Sequence, residues 1–297
     1  MIPIDLSGKI ALVTGVATNE SFAWYISKAL QAAGARLVFC CHPSVMKIVD
    51  NILSSDLPDY AKDRQLPFSA GTLAVEKLLP CDVSFDTMAD VDEATRNDRR
   101  FARYKDHDYT IKGVMDVMAK DYGHIDVLIH SVAFSPEIKN RMVETSRKAY
   151  LTALSVSSYS LTALCRAAAP LMENRPGGSA ALGLTYLGGE RVVPHYGGGM
   201  STAKAALQID CKQLAQNLGR KNIRVNCISA GPWASTAAKG IGDIGEMIKH
   251  ASDRSPLPRP IEADEVGNTA AFLCSPLASA ITGQIVYVDC GYNVMGV

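Results

Sequence analysis

The sequence predicts an α/β fold: a doubly wound, parallel, seven-stranded sheet in a single domain. Three observations predict it. Short apolar runs alternate with amphipathic stretches from end to end. The first strand-like run closes in a glycine, as a buried strand entering a tight turn does. No Pro/Ser-rich or strongly charged linker divides the 297 residues, a length one large core accommodates.

Lys9 to Gly15 is that first strand and turn. Apolar and small residues from Phe22 through Ala33 recur at helical spacing, Gly34 ends the helix, and Arg36 to Cys41 reads as the second strand. Together they form a right-handed βαβ unit of the Rossmann-like, dinucleotide-binding sort. The loop is unusual, because after Gly15 the next glycine is Gly34, so the G-x-G-x-x-G fingerprint is missing. In its place Ser21 can cap the helix, backbone N–H groups up to Phe22 can bind a pyrophosphate, and small Ala23 permits close packing. Glu20 opposes a phosphate unless it points away. Any βαβ protein needs a capped helix here, so the loop alone leaves nucleotide binding open. After the second strand, Cys41 and His42 occupy the place where an acidic residue often meets a ribose 2′-hydroxyl. No Arg or Lys follows immediately, Lys47 lying along the next helix; the local residues leave NADH against NADPH undecided, with NADH the expectation.

Pro43 to Leu53 suggests a helix, and polar Asp56 to Phe68, with two prolines, an exposed insertion. Glu76 to Val83 gives the third strand. At its end Asp82 can accept from an adenine amino group while Val83 donates from its backbone, or Asp82 can cap the following segment. Asp90 to Asp108, rich in both charge signs, reads as a solvated helix and loop rather than a binding arm. An amphipathic helix from Thr110 to Tyr122 is broken by Gly123. Ile125 to His130, the fourth strand, leads into small Ser131 and Ala133, which leave room for a nicotinamide ribose in the crevice such a strand end faces. Tyr150 to Glu173 is a long apolar helix suited to core and subunit packing. Gly178 to Tyr186 and Ile223 to Ala230 are the fifth and sixth strands. Trp233, Ser235 and Thr236 follow the sixth. Ala237 to Ser255 reads as a mobile helical lid ended by prolines, within a substrate-binding cover at about 232–260. Glu262 to Leu273 is a helix and Gln284 to Asp289 the last strand.

The chemistry concentrates between Tyr186 and Lys204. A phenol held near a lysine ammonium can donate a hydrogen bond to charge developing on a substrate oxygen, which makes Tyr196 and Lys204 the candidate pair. Eight residues separate them, two helical turns plus roughly 80° on an ideal helix. Gly197, Gly198 and Gly199 supply the slack, which predicts Tyr196 just before a regular helix and Lys204 inside it, the helix running to about Gly219. The alternative is a buried tyrosine beside an unrelated surface lysine.

Lys and Arg balance Asp and Glu at thirty each, which argues against a partner bound through bulk positive charge, nucleic acid included. No apolar run reaches the ~18–20 residues of a membrane span, and Met1 to Gly8 is too short and polar for a signal peptide, so the expected compartment is the cytoplasm. The eight cysteines show no Cys-x-x-Cys pair and no zinc spacing. They read as small core residues in a reducing compartment, and the dispersed histidines likewise suggest no metal; His130 reads as structural or pocket-lining.

With Thr14-Gly15, Asp82-Val83, Tyr196 with Lys204, and Ser229-Ala230-Gly231-Pro232 in this order, the chain resembles the short-chain dehydrogenase/reductases. It departs from their common form, which has tyrosine and lysine four apart and a more glycine-rich loop. Both departures, with Tyr-Leu-Gly-Gly-Glu-Arg at 186–191, Tyr-Gly-Gly-Gly-Met-Ser at 196–201 and Ile-Arg-Val-Asn at 223–226, make it similar to the plastid-type branch of the enoyl-acyl carrier protein reductases over nearly its whole length. The resemblance implies NADH as cofactor, acyl carrier protein carrying trans-2-enoyl chains as partner, and a homotetramer. It makes Tyr196 the donor to the thioester oxygen and Tyr186 a wall of the acyl pocket beside Ala133. It gives Lys204 the nicotinamide ribose, and Gly15, Ser21, Phe22, Asp82, Val83, Ser131, Trp233 and Ser235 the cofactor. Phe134 and Trp233 are bulkier than expected. Competing readings are a β-ketoacyl thioester reductase, against which the spacing and Tyr186 argue, and a non-catalytic dinucleotide sensor.

Overall fold

Strands apolar on both faces belong in the middle of a sandwich, and the structure, a computed structural model describing residues 4–236, 238 and 244–296, places them there. The chain runs β1 (Ile10–Thr14), α1 (Phe22–Ala32), β2 (Arg36–Cys41), α2 (Met46–Ser54), α3 (Pro58–Asp63) and β3 (Lys77–Pro80). It continues through α4 (Glu93–Arg96), α5 (Ile111–Asp121), β4 (Val127–His130), α6 (Arg147–Leu154), α7 (Ser160–Met172) and β5 (Ser179–Thr185). It closes with α8 (Met200–Leu218), β6 (Ile223–Ala230), α9 (Ile244–Arg254), α10 (Ala263–Cys274) and β7 (Ile285–Val288). β1 and β5 are buried along their whole length, as strands covered on both faces must be.

Seven strands among the described residues form one sheet in the order β3-β2-β1-β4-β5-β6-β7, every pair parallel. β1 therefore has β2 on one side, with Leu12 opposite Val38, and β4 on the other, with Leu12 opposite Leu128. Chain direction across the sheet reverses there, which opens a crevice at the strands' C-terminal ends. On one face Trp24 and Ile26 of α1 and Val266 and Ala270 of α10 pack with Phe39 and Ile129. On the other, Met118 of α5, Leu164 of α7 and Leu207 of α8 pack with Val38 and Leu128.

The predicted strands and long helices are present, with ends within three residues of expectation and those of β2 and β6 unmoved. The helix predicted at Tyr150 to Glu173 is α6 and α7 joined without a break by a π-helical turn, Ser155–Tyr159. Such turns have an extra residue per ring and recur at functional sites. Here Ser157 Oγ accepts from the Phe134 amide at 2.9 Å, which ties the helix to the loop after β4.

Two segments depart from expectation. The stretch 90–108 is more than a solvated arm, because Val91, Phe101 and Tyr109 build a small core of their own and Thr95, Arg100 and Phe101 line the crevice. Its apolar residues follow no helical or strand period, so charge dominated the reading. The insertion 56–68 is likewise more than exposed chain, since α3 holds the loop after β1. Asn19 donates to the Asp63 carboxylate and Trp24 Nε1 donates to Asp63 O at 3.3 Å. Of the predicted lid, residues 237 and 239–243 lie outside the described residues; α9 follows them.

Candidate active site

The turn after β1 needs a residue without a side chain. Gly15 has φ +84°, and a Cβ there would lie 2.0 Å from the Ser131 carbonyl oxygen, so only glycine lets the β1 and β4 loops meet. Ser21 stands at the N-cap of α1, but its hydroxyl does not cap the helix. It accepts instead from the Ala17 and Thr18 amides, each at 3.2 Å, and so holds the glycine-poor loop in shape. Glu20 points away from the helix end toward the loop after β6. Its carboxylate accepts from Thr236 Oγ1 at 3.1 Å, and its carbonyl accepts from Trp233 Nε1 at 3.2 Å. The Trp233 ring meets Tyr25 of α1 edge-on, which absorbs its bulk.

These loops enclose a cavity of about 610 Å³ along the C-terminal edge of the sheet. Gly15, Ser21, Phe22, Asp82, Val83 and Ser131 line it, as do Ala133, Phe134, Tyr186, Tyr196, Lys204, Trp233 and Ser235, so every predicted site residue reaches one space. Asp82 accepts from the Ser84 amide at 2.9 Å and faces His42 Nε2 at 3.4 Å. Burial works against its charge, while His42 and the Ser84 bonds lower its pKa below the usual carboxylate value. Turns rather than a helix follow it, so the capping alternative is not realised. The cavity fits an extended dinucleotide: backbone can approach closely at Gly15, α1 begins at the cavity wall, and Asp82 supplies an acceptor at the β3 end.

Tyr196 precedes α8 and Lys204 lies on its second turn, as the spacing predicts. Gly198 and Gly199 take φ +58° and +81°, the left-handed angles that turn the chain between them. Tyr196 is buried, and burial first, then neighbouring Tyr186, pushes its phenol above the ordinary tyrosine range, so it stays protonated and can donate. Lys204 is buried as well; burial lowers its pKa to about 8, and its Nζ donates to Leu184 O at 2.6 Å. That bond fixes the ammonium at the end of β5, where Lys204 lines the cavity. Lys204 is thus not a surface lysine.

His130 is fully buried beneath this floor. Ser160 Oγ gives its proton to Val156 O, so His130 Nε2–H donates to Ser160 Oγ at 2.7 Å. Burial first, then the Lys204 charge, drops its pKa to about 3 and keeps it neutral. It is structural and absent from the cavity lining. Sequence reasoning missed the cavity residues Thr95, Arg100 and Phe101, which distance along the chain from any strand end hid. Ile244 and Met247, inside the predicted lid, line the cavity as well. Among the described residues no cluster of three or more His, Cys, Asp or Glu could hold a metal, and no helix is long and apolar enough to cross a membrane.

Comparison with known proteins agrees with this geometry. The family model described as enoyl-(acyl carrier protein) reductase matches residues 106–293. The chloroplastic enoyl-[acyl-carrier-protein] reductase [NADH] 2 of Oryza sativa subsp. japonica is 47% identical over 99% of this chain and 78% of its own. The solved enoyl-acyl-carrier-protein reductase of Plasmodium berghei with triclosan superposes with a TM-score of 0.90 at 38% identity, covering 97% of this chain and 99% of that one. The Anaplasma phagocytophilum reductase in complex with NAD gives a TM-score of 0.78 at 36% identity, covering 100% and 98%.

Proposed function

The chain belongs to the enoyl-(acyl carrier protein) reductase family, and from that premise we propose that it reduces trans-2-enoyl thioesters carried by acyl carrier protein, using NADH, in fatty acid synthesis. The observation that carries the reading is the pairing of a neutral, buried Tyr196 with a fixed Lys204 on one cavity wall. Bound NADH supplies the hydride that the β-carbon of the enoyl group receives.

Reduction at the β-carbon sends charge to the thioester oxygen. Tyr196, held protonated by burial, donates a hydrogen bond to that oxygen and stabilises the enolate without losing its own proton, and the α-carbon then takes a proton from solvent to complete the reduction. Lys204 orients the nicotinamide ribose from its anchor on Leu184 O. Tyr186 packs against Tyr196 and walls the acyl side of the cavity that Ala133 and Phe134 also line. Ser131, Trp233 and Ser235 border the nicotinamide, Asp82 and Val83 the adenine, and Gly15, Ser21 and Phe22 the pyrophosphate. Ile244 and Met247 of α9 line the same cavity, which supports a substrate-binding cover over about 232–260.

The assembly is a homotetramer in this reading, favoured by exposed apolar Leu151, Tyr159 and Ile209 on α6, the π turn and α8. Light scattering on the purified protein tests that. Its seven buried free thiols suit a reducing compartment, here the cytoplasm. The deciding experiment follows nicotinamide absorbance on a trans-2-enoyl and on a β-ketoacyl thioester. Oxidation of NADH by the enoyl substrate is expected. Turnover on the ketoacyl substrate alone would assign a carbonyl reductase, and nucleotide binding without turnover on either would assign a sensor.

A further inference from the structure

The glycine run Gly197–Gly199 is poorly able to hold a shape of its own, because residues without side chains keep the greatest backbone freedom. Yet the Tyr196 phenol is presented from it at one place on the cavity wall. Gly198 and Gly199 sit at φ +58° and +81°, so contacts from outside the run have to keep them there. The loop after β4 supplies those contacts.

That loop packs onto the run backbone to backbone. Gly197 N–H donates to Ile138 O at 3.2 Å, and Gly198 N–H donates to Asn140 O at 3.0 Å. A Cβ on Gly197 would lie 1.9 Å from Asn140 O, and one on Gly198 would lie 2.4 Å from Glu137 O. The loop is itself anchored from behind. The Glu137 carboxylate accepts from the Ser146 amide at 2.8 Å and from the Ser146 hydroxyl at 2.7 Å, at the start of α6. Ile138 also packs in the small cluster that buries Tyr196.

A side chain crosses the seam at Ser135. Its hydroxyl accepts from the Glu137 amide at 3.3 Å and gives its proton to Gly198 O at 2.7 Å, joining residues 63 apart in the chain. The two amide bonds from the glycine run survive substitution of the loop's side chains; the Ser135 bond does not. Ser135 is buried, and it is absent from the cavity lining although Ala133 and Phe134 are in it. The hydroxyl therefore acts from behind the wall, on backbone, and not on anything in the cavity.

From this geometry we infer that Ser135 is a positioning residue for the reduction: its hydroxyl holds the Gly198 carbonyl, which sets the left-handed turn and through it the place of the Tyr196 phenol. The inference rests on the reading of Tyr196 as donor to the thioester oxygen.

Single-turnover reduction of a trans-2-enoyl thioester by NADH tests it, in a double-mutant cycle of Ser135→Ala and Tyr196→Phe. Ser135→Ala should lower the rate about tenfold, the scale of one lost buried hydrogen bond. The NADH Kd should stay within about twofold of wild type, because Gly15 and Asp82 lie on other loops. In the Tyr196→Phe background the same substitution should change the rate by less than about twofold, since the donor it places has gone. A loss of equal size in both backgrounds overturns the inference, because Ser135 would then act on the loop at large. So does an unchanged rate in Ser135→Ala, or a fall in rate matched by an equal fall in NADH affinity. Each of these leaves the donor reading standing so long as Tyr196→Phe alone is slow. Tyr196→Phe reacting at the wild-type rate overturns the donor reading and the inference with it.

Discussion

The Tyr186 and Tyr196 rings meet edge to face, centroids 5.0 Å apart and planes at 69°, with Gly188 pressed against both. In the proposed mechanism the arrangement couples the wall of the acyl pocket to the hydrogen-bond donor. Tyr186 follows β5 directly and Tyr196 precedes α8, so the pair also joins the end of the sheet to the helix that carries Lys204.

Tyr196→Phe removes the donor and keeps the ring contact with Tyr186. By analogy with loss of one donor to a developing oxyanion, kcat should fall by about 10²–10³-fold. KM for the enoyl thioester should change far less. A raised KM with kcat unchanged would mean that the phenol acts in the ground state.

Gly188→Ala places a Cβ 2.7 Å from Tyr196 Cδ1 and 3.1 Å from Tyr186 Cδ1. Both rings must shift, with a stability loss of about 1–3 kcal/mol typical of overpacking. Urea denaturation measures it, and kcat should drop alongside. A variant as active and stable as wild type would show that the ring pair is not held in one geometry.

Lys204 couples function to pH. Its folded pKa of about 8 lies below the free value of 10.5, so in between the unfolded chain holds a proton that the native protein does not. Stability of the ligand-free protein should therefore rise as pH climbs from about 8 to 10.5, while affinity for a ribose held by the ammonium should fall above about 8. Lys204→Met should stabilise the ligand-free protein at pH 7 by about 1–2 kcal/mol, less than the full shift because Leu184 O loses its partner. It should also cost most of the NADH affinity. Denaturation midpoints and nucleotide titrations across pH 6–10 check both signs.

Gly15→Ala forces a side chain toward the Ser131 carbonyl at φ +84°. The β1 and β4 loops must separate. NADH binding should be lost, with a stability penalty of about 3 kcal/mol or more from clash and left-handed strain together. Near-normal nucleotide affinity in this variant would remove the close approach at Gly15 from the site.

By itself the sequence determined the layers, the strand order's βαβ start and the Tyr196–Lys204 motif. Strand burial and helical periods are local patterns, and a glycine run beside a spaced tyrosine and lysine is visible in one dimension. Tertiary structure decided what no local period encodes. Ser21 has the residue type of a cap, yet its hydroxyl turns to the Ala17 and Thr18 amides of the preceding loop. Lys204 gains its depressed pKa only by burial under β5. Arg100, in a segment read as solvated, reaches the cavity because Phe101 and Tyr109 find a small core of their own. Such contacts join residues far apart in the chain, and their free energy comes from burial and approach that exist only once the crevice has closed.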